Sequence, residues 1–278
     1  MDVPSILDTI AADAARGEIV FPTHAEMALR VRRAIDDPDC SLDHLAKLIQ
    51  AEPLLAARVV GMANSVTYNR SGRAIADVRN AVTRIGFKTI RALATAVVVR
   101  QMEDMPREPA HRQLAIRLWE HTAQVASLAY VIAKRVTRQD PDTAFFAAIV
   151  HEVGGFYLIS RAADFPGLLD GQLPDWEGEH EARIGRAVLK VLGVPEAVVT
   201  AIEALWEGYL AMPPETLGDT LLLADQLASV ESPLSQLAGL GREGTAVDID
   251  VALDDETLSG ILKESAEELE SLNSALRS

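Results

Sequence analysis

Apolar residues recur at three- and four-residue intervals along almost the whole chain, and no segment alternates apolar with polar residues under β-branched enrichment. An all-α fold follows. In the first block, Thr23 after Phe21-Pro22 can cap a helix over 24–35 that carries Met27, Leu29, Val31 and Ile35 and stops at Asp36-Asp37-Pro38-Asp39. Ser41 can cap a second helix with Leu42, Leu45, Leu48 and Ile49, ending near Glu52-Pro53. Pro53 suits the first turn of a third helix (Leu54, Leu55, Val59, Val60, Met62), because that position needs no N–H. Past the polar loop 69–72, helices are predicted from Val78 to Ile85 and, beyond Gly86, from Thr89 to about Gln101.

Pro106 and Pro109, in a stretch of mixed charge, mark a boundary near 105–110. Helical periods resume over 112–137, 142–160, 180–192, 195–207 and 216–230, with a loop at 167–178 and a linker at 242–250. The expected organisation is a helical N-terminal extension (1–19), a five-helix N-terminal lobe (20–104), a second helical lobe (105–240), and an acidic linker with a C-terminal helix (241–278). In that last helix Leu258, Leu262, Ser265, Leu269, Leu272 and Leu276 follow a heptad seam. The seam can pack on the chain's own body or on a second copy, as a homodimer.

The 278 residues carry a net charge of −15, which argues against a protein that coats nucleic acid. The acidity is uneven, with +2 over residues 1–100 and −17 over 101–278. Between 58 and 100, Arg58, Arg70, Arg73, Arg79, Arg84, Lys88, Arg91 and Arg100 stand against one acid, Asp77. This stretch reads as a docking face for something anionic, or as a rim that attracts the chain's own acids. It lacks the interleaved aromatics of a base-stacking platform. The longest uninterrupted apolar run, 92–99, falls far short of the ~20 residues that span a bilayer. The acidic start does not follow a signal-peptide pattern. Cys40, the single cysteine, excludes an internal disulfide and a cysteine-rich zinc site. A cytoplasmic protein is expected.

A Gly-rich phosphate loop, a Gly-x-Ser-x-Gly elbow and a Cys-x-x-Cys pair are all missing. His151-Glu152 opens like a zinc-protease helix, but position 155, where the second histidine is needed, is Gly. What remains is His121 in the helix 118–125, His151-Glu152 after the apolar run 145–150, and Asp225 in 221–228. Two imidazoles and two carboxylates converging from separate helices can hold one divalent metal with open positions for water and a phosphate oxygen. The competing reading is a hydrogen-bonded set of core side chains.

A His, then a His with an adjacent acid, then an Asp, on helices so separated, resembles the HD-type metal-dependent phosphohydrolases. Phe21-Pro22, the run Asp37 to Leu42, the run Ala51 to Arg58, Ala63-Asn64-Ser65, Asn80-Ala81-Val82 and Ile85-Gly86 closely resemble the HDOD domain, the HD-related output domain of bacterial signalling proteins, over roughly residues 20–230. Glu179-His180, Gly185, Leu192, Val194-Pro195 and Ala201-Ile202 are similar to the segment shared with HD-GYP phosphodiesterases. Three positions depart from an active site of that kind. The doublet is His151-Glu152, whose carboxylate stands one methylene further out; Gly155 takes the place of a lysine; Leu205-Trp206 replace paired histidines.

The resemblance implies an HDOD fold with a degenerate HD-like lobe, in a non-enzymatic regulatory protein that acts by protein–protein contact and has no resident cofactor. Its expected partner is a signalling protein with an acidic contact surface, met by Arg70, Arg73, Arg79 and Arg84, while Asn64 and Ser65 fix a turn. Two alternatives stand beside it. One is a metal-dependent phosphohydrolase acting on a nucleotide or phosphodiester, with His121, His151, Glu152 and Asp225 as ligands of a divalent ion. The other is a protein that binds a nucleotide second messenger on the arginine-rich face. With no receiver domain attached, input is expected to arrive through a separate partner or ligand.

Overall fold

Helix is the sole regular structure among the residues that the computed structural model describes, which are 2–17, 19, 25–51, 53–103, 105–173, 176–208, 210–211, 213–239 and 255–277. The order is α1 (Val3–Ala15), α2 (Ala25–Asp36), α3 (Leu42–Gln50), α4 (Pro53–Ala63), α5 (Val78–Glu103), α6 (Pro109–Ile132) running into a π-helical turn (Ala133–Thr137), α7 (Pro141–Val150), α8 (Val153–Arg161), α9 (Glu181–Val191), α10 (Glu196–Glu207), α11 (Leu217–Leu227), α12 (Pro233–Ala238) and α13 (Asp255–Arg277). Phe21, Pro22 and Thr23, and the linker 242–250, lie outside the described residues.

Local chemistry sets the helix ends. Ser41 Oγ accepts from the His44 N–H at 3.2 Å and opens α3. Pro53 is the first residue of α4, and Thr216 and Asp219 cap α11 reciprocally. Gly86 divides α5 with φ 80° and ψ 164°, a conformation open essentially to glycine alone. The five predicted helices of the first block are therefore α2, α3, α4 and the two parts of α5. Asn64 closes the loop between α4 and α5 by pairing with one distant peptide: its Nδ2 donates to the Ile75 carbonyl at 2.7 Å and its Oδ1 accepts from the Ile75 N–H at 2.8 Å.

The apolar run Ala92–Val99 is buried throughout, as a helix apolar on all sides must be. It lies in α5, which packs against α2, α3, α4, α6, α7 and α8. The predicted helix 142–160 is in fact two: at Glu152 the backbone turns to φ −100° and ψ 14°, separating α7 from α8. The predicted helix 216–230 ends at Leu227, and the short α12 follows it. Within the expected loop 167–178, Trp176 begins a short π-helical turn and is buried. The run Pro141–Asp164 is apolar enough to cross a bilayer by composition, yet 89% of its most apolar window is buried inside the fold.

The C-terminal helix α13 lies along α6 and α4. Its buried residues are Ile261, Ser265, Glu268, Ser271 and Leu272, whereas Leu262 of the predicted seam is 46% exposed. Ile261, Ser265, Glu268 and Leu272 are themselves spaced 4, 3 and 4, so the seam keeps its repeat and takes Ile261 in place of Leu262. The side chain of Leu276 lies outside the described residues. Lys134 and Arg135, at the end of α6, grip Glu264 at 2.5 and 2.6 Å. Burial pushes the Glu268 carboxyl up to about 7; Glu264 and Asp142 add to this, while a hydrogen bond from Thr67 and the charge of Lys134 oppose it.

Two outcomes are expected. Asn64→Asp keeps the acceptor for Ile75 and loses the donor, so urea unfolding should show a loss of about 1–3 kcal/mol. Glu268 binds a proton more tightly folded than unfolded, where its value is 4.5. Its contribution is thus complete below that value and declines as pH rises toward 7. Relative to wild type, Glu268→Gln should become more stable between pH 5 and 7.5 by on the order of 3 kcal/mol, read from urea midpoints at each pH.

Candidate functional site

His121 projects from the middle of α6, His151 and Glu152 from the break between α7 and α8, and Asp225 from α11. A helix continuing through 151–152 would aim those two side chains about 100° apart around its axis; the break lets both face His121. The ligand atoms of His121, His151 and Glu152 all lie within 4.8 Å of one another, and all three residues are buried. Asp225 Oδ1 stands 3.3 Å from His121 Nε2 at the more open edge, outside the tight set. Glu152 Oε1 is 3.9 Å from the same nitrogen.

The protonation of the two rings follows from their partners. His121 Nδ1 bonds the Val230 carbonyl at 2.8 Å and His151 Nδ1 bonds the Ala148 carbonyl at 2.6 Å. A carbonyl only accepts, so both Nδ1 atoms carry hydrogen. Burial holds both rings below the usual histidine range, with Asp225 opposing this at each. Neutral rings then direct two Nε2 lone pairs at each other across 3.3 Å, beside two carboxylates. A set made only of acceptors is electrostatically incomplete without a proton or a cation at its centre. Two nitrogens bound at about 2.0–2.1 Å to one tetrahedral ion stand roughly 3.3 Å apart, so His121 and His151, with Glu152, are the residues that can hold a metal.

Packing closes one side of this cluster. A Cβ at Gly155 would stand 2.5 Å from Leu234 Cδ1 and 3.0 Å from Glu152 Oε2. Leu234, in α12, is fully buried and occupies the space that a side chain at 155 would need. The loop between α11 and α12 is tied down by Gln124, whose Oε1 accepts from Ser229 Oγ and from the Val230 N–H, both at 3.0 Å. Gln124 and Leu234 were not singled out from sequence. Gln124 sits three residues from His121, on the same helix face, which was the available signal; nothing local marks Leu234. Further along, a Cβ at Gly185 would meet Trp206 at 2.7 Å, so Trp206 is packed over a close approach of α8 and α9.

A family model for the HDOD domain matches residues 21–207, about two thirds of the chain. The chain belongs to the HDOD family. Solved structures with the same fold include a candidate metal-dependent phosphohydrolase from Shewanella amazonensis SB2B, 23% identical with TM-score 0.71 over 97% of this chain and 99% of that one. An HDOD domain protein of unknown function from Geobacter sulfurreducens is 22% identical, with TM-score 0.60 over 98% and 94%. A candidate signal transduction protein from Marinobacter aquaeolei VT8 is 18% identical, with TM-score 0.58 over 92% and 60%. An uncharacterized protein of Treponema pallidum (strain Nichols) is 22% identical over 201 residues, and the chain spans 37% of its length. At these identities the likenesses establish the fold.

The basic stretch of the HDOD domain divides by partner. Arg79 bonds Asp43 at 2.7 Å, Lys88 bonds Asp140 at 2.8 Å and Arg91 bonds Asp36 at 2.5 Å. Arg84 donates to the carbonyls of Ala63 and Arg73 at 3.0 and 2.9 Å, bracing the loop it borders. Arg58 is buried. Arg70 and Arg73 are exposed, and their guanidinium groups carry no ion pair among the described residues.

The packing of Leu234 over Gly155 gives a double-mutant test. Leu234→Ala should cost about 2–5 kcal/mol in urea unfolding, and Gly155→Ala alone should be destabilising by overpacking of roughly 1–3 kcal/mol. Combined, the two should cost less than their sum, because each relieves the other.

Proposed function

We propose that this HDOD protein is a regulatory module that works by binding another protein rather than by turnover. The observation that supports this reading is the filled site: Leu234 lies in the space that Gly155 leaves open beside the Glu152 carboxylate, so a phosphodiester has no room on that side of the histidines. The partner surface is the basic edge of Arg70, Arg73, Arg79 and Arg84, of which the first three are exposed and Arg84 is the half-buried brace, and the partner presents acids to it. Charge reversal at two exposed positions, Arg73→Glu with Arg79→Glu, should weaken a partner captured by the wild-type chain at least about tenfold and leave the fold intact by circular dichroism. The wild-type contact should itself fade as salt rises, since exposed charges are screened over ~8–10 Å. A captured partner that ignores both changes would sink this reading.

One observation favours a second reading, a metal-dependent phosphohydrolase. His121 and His151 aim their Nε2 lone pairs at one point beside Glu152, and Asp225 stands at the edge of the set, where a ligand would enter. On this reading the purified protein holds about one equivalent of a divalent metal, His151→Ala loses it, and bis(p-nitrophenyl) phosphate is hydrolysed above background by the loaded wild type only. On the regulatory reading, hydrolysis stays at the uncatalysed rate whatever metal is supplied.

A further inference from the structure

A second cleft, of about 420 Å³, opens away from the histidines between α13, the end of α6 and the loop 66–70. Its size falls within the range of small-molecule sites, roughly 300–1,000 Å³. Though the chain carries a net −15, four cations line this cleft: Arg70, Lys134, Arg135 and Lys263. Lys134 and Arg135 already demonstrate anion binding, since they hold the carboxylate of Glu264. Gly260 permits this arrangement, because a Cβ there would stand 3.1 Å from Arg135 Nη1. Arg70 and Lys263 line the same space and carry no ion pair among the described residues.

The remaining groups narrow the ligand class. Tyr130 keeps its hydroxyl hydrogen, burial having pushed it up to about 12, and Glu268, pushed up to about 7, is in large part a neutral donor at that pH. Both are compatible with an anion nearby. Glu267 is an exposed carboxylate of the lining with no ion pair among the described residues, and it suits a ligand that also presents hydroxyl or amino donors. We propose that this cleft binds a small phosphomonoester bearing such donors, of sugar-phosphate or nucleotide size, with its phosphate at Arg70 and Lys263 and its donors toward Glu267. The site joins the family-matched segment 21–207 to a helix outside it, so occupancy clamps α13 to the HDOD domain.

Thermal unfolding of the full chain tests this, with AMP, ribose 5-phosphate, inorganic phosphate and adenosine as probes. At about a hundredfold excess over Kd, at least one of the two phosphomonoesters should raise Tm by roughly 5 °C, and adenosine should not shift it. Arg70→Glu and Lys263→Glu are exposed changes that should leave the ligand-free Tm nearly unchanged and weaken the phosphomonoester at least about tenfold. Glu267→Gln should weaken the phosphomonoester more than inorganic phosphate. The proposal is overturned if neither phosphomonoester shifts Tm, if the shift survives both charge reversals, or if it disappears in His151→Ala instead, which would place the ligand at the histidines. Lys263 and Glu267 lie outside both the proposed partner edge and the histidine cluster, so their variants tell failure here apart from failure of the regulatory reading, and His151→Ala serves only to locate the ligand.

Discussion

The burial on all sides of the 92–99 stretch of α5 is the constraint from which the rest of the fold follows. A helix with no polar face cannot sit at a surface, and the run from Ala92 to Val99 has none. Six other helices pack around it. Two of them, α6 and α7, also pack on each other and carry His121 and lead to His151. The distance between the two imidazoles is therefore a consequence of core packing rather than of any local motif. Gly86 serves the same end, since the turn it makes redirects the chain into the buried part of α5.

The histidine cluster combines an acceptor-rich centre with apolar packing on one side. Both rings are locked by backbone carbonyls in the tautomer that a metal ligand needs, and both are neutralised by burial. The attraction for a cation is thus intact. The packing beside it is set separately, by Leu234 seated against Gly155. These two properties are independent in physical terms: one depends on lone pairs and carboxylates at the centre, the other on apolar side chains at the rim.

The C-terminal helix is attached in a different manner from the core helices. Its buried face mixes Ile261 and Leu272 with Ser265, Glu268 and Ser271, and its firmest visible grip is the clamp on Glu264. Such an interface gains less from apolar burial than α5 does and depends more on ionisation and on charge. The cleft beside it accordingly mixes four cations, Arg70, Lys134, Arg135 and Lys263, with three carboxylates, Glu264, Glu267 and Glu268.

The helical class, the cap at Ser41, the break at Gly86, the turn-fixing role of Asn64 and the four residues of the histidine cluster were legible in the residues themselves, because period, capping chemistry and the φ freedom of glycine act over a few neighbours. The heptad reading of α13 misplaced Leu262, since a repeat of four and three fits a seam through Ile261 as well as one through Leu262. The separation of α7 from α8 was invisible because apolar residues flank it on both sides and no Pro marks it. The division of the arginines into bracing, ion-paired and open, and the filling of Gly155 by Leu234, were decided by tertiary structure alone. Each depends on residues 11 to 79 positions apart in the chain, and no local period carries information over that range. The sequence by itself determined which groups the protein has available; which of them meet, and with how much room between them, only the packed fold decided.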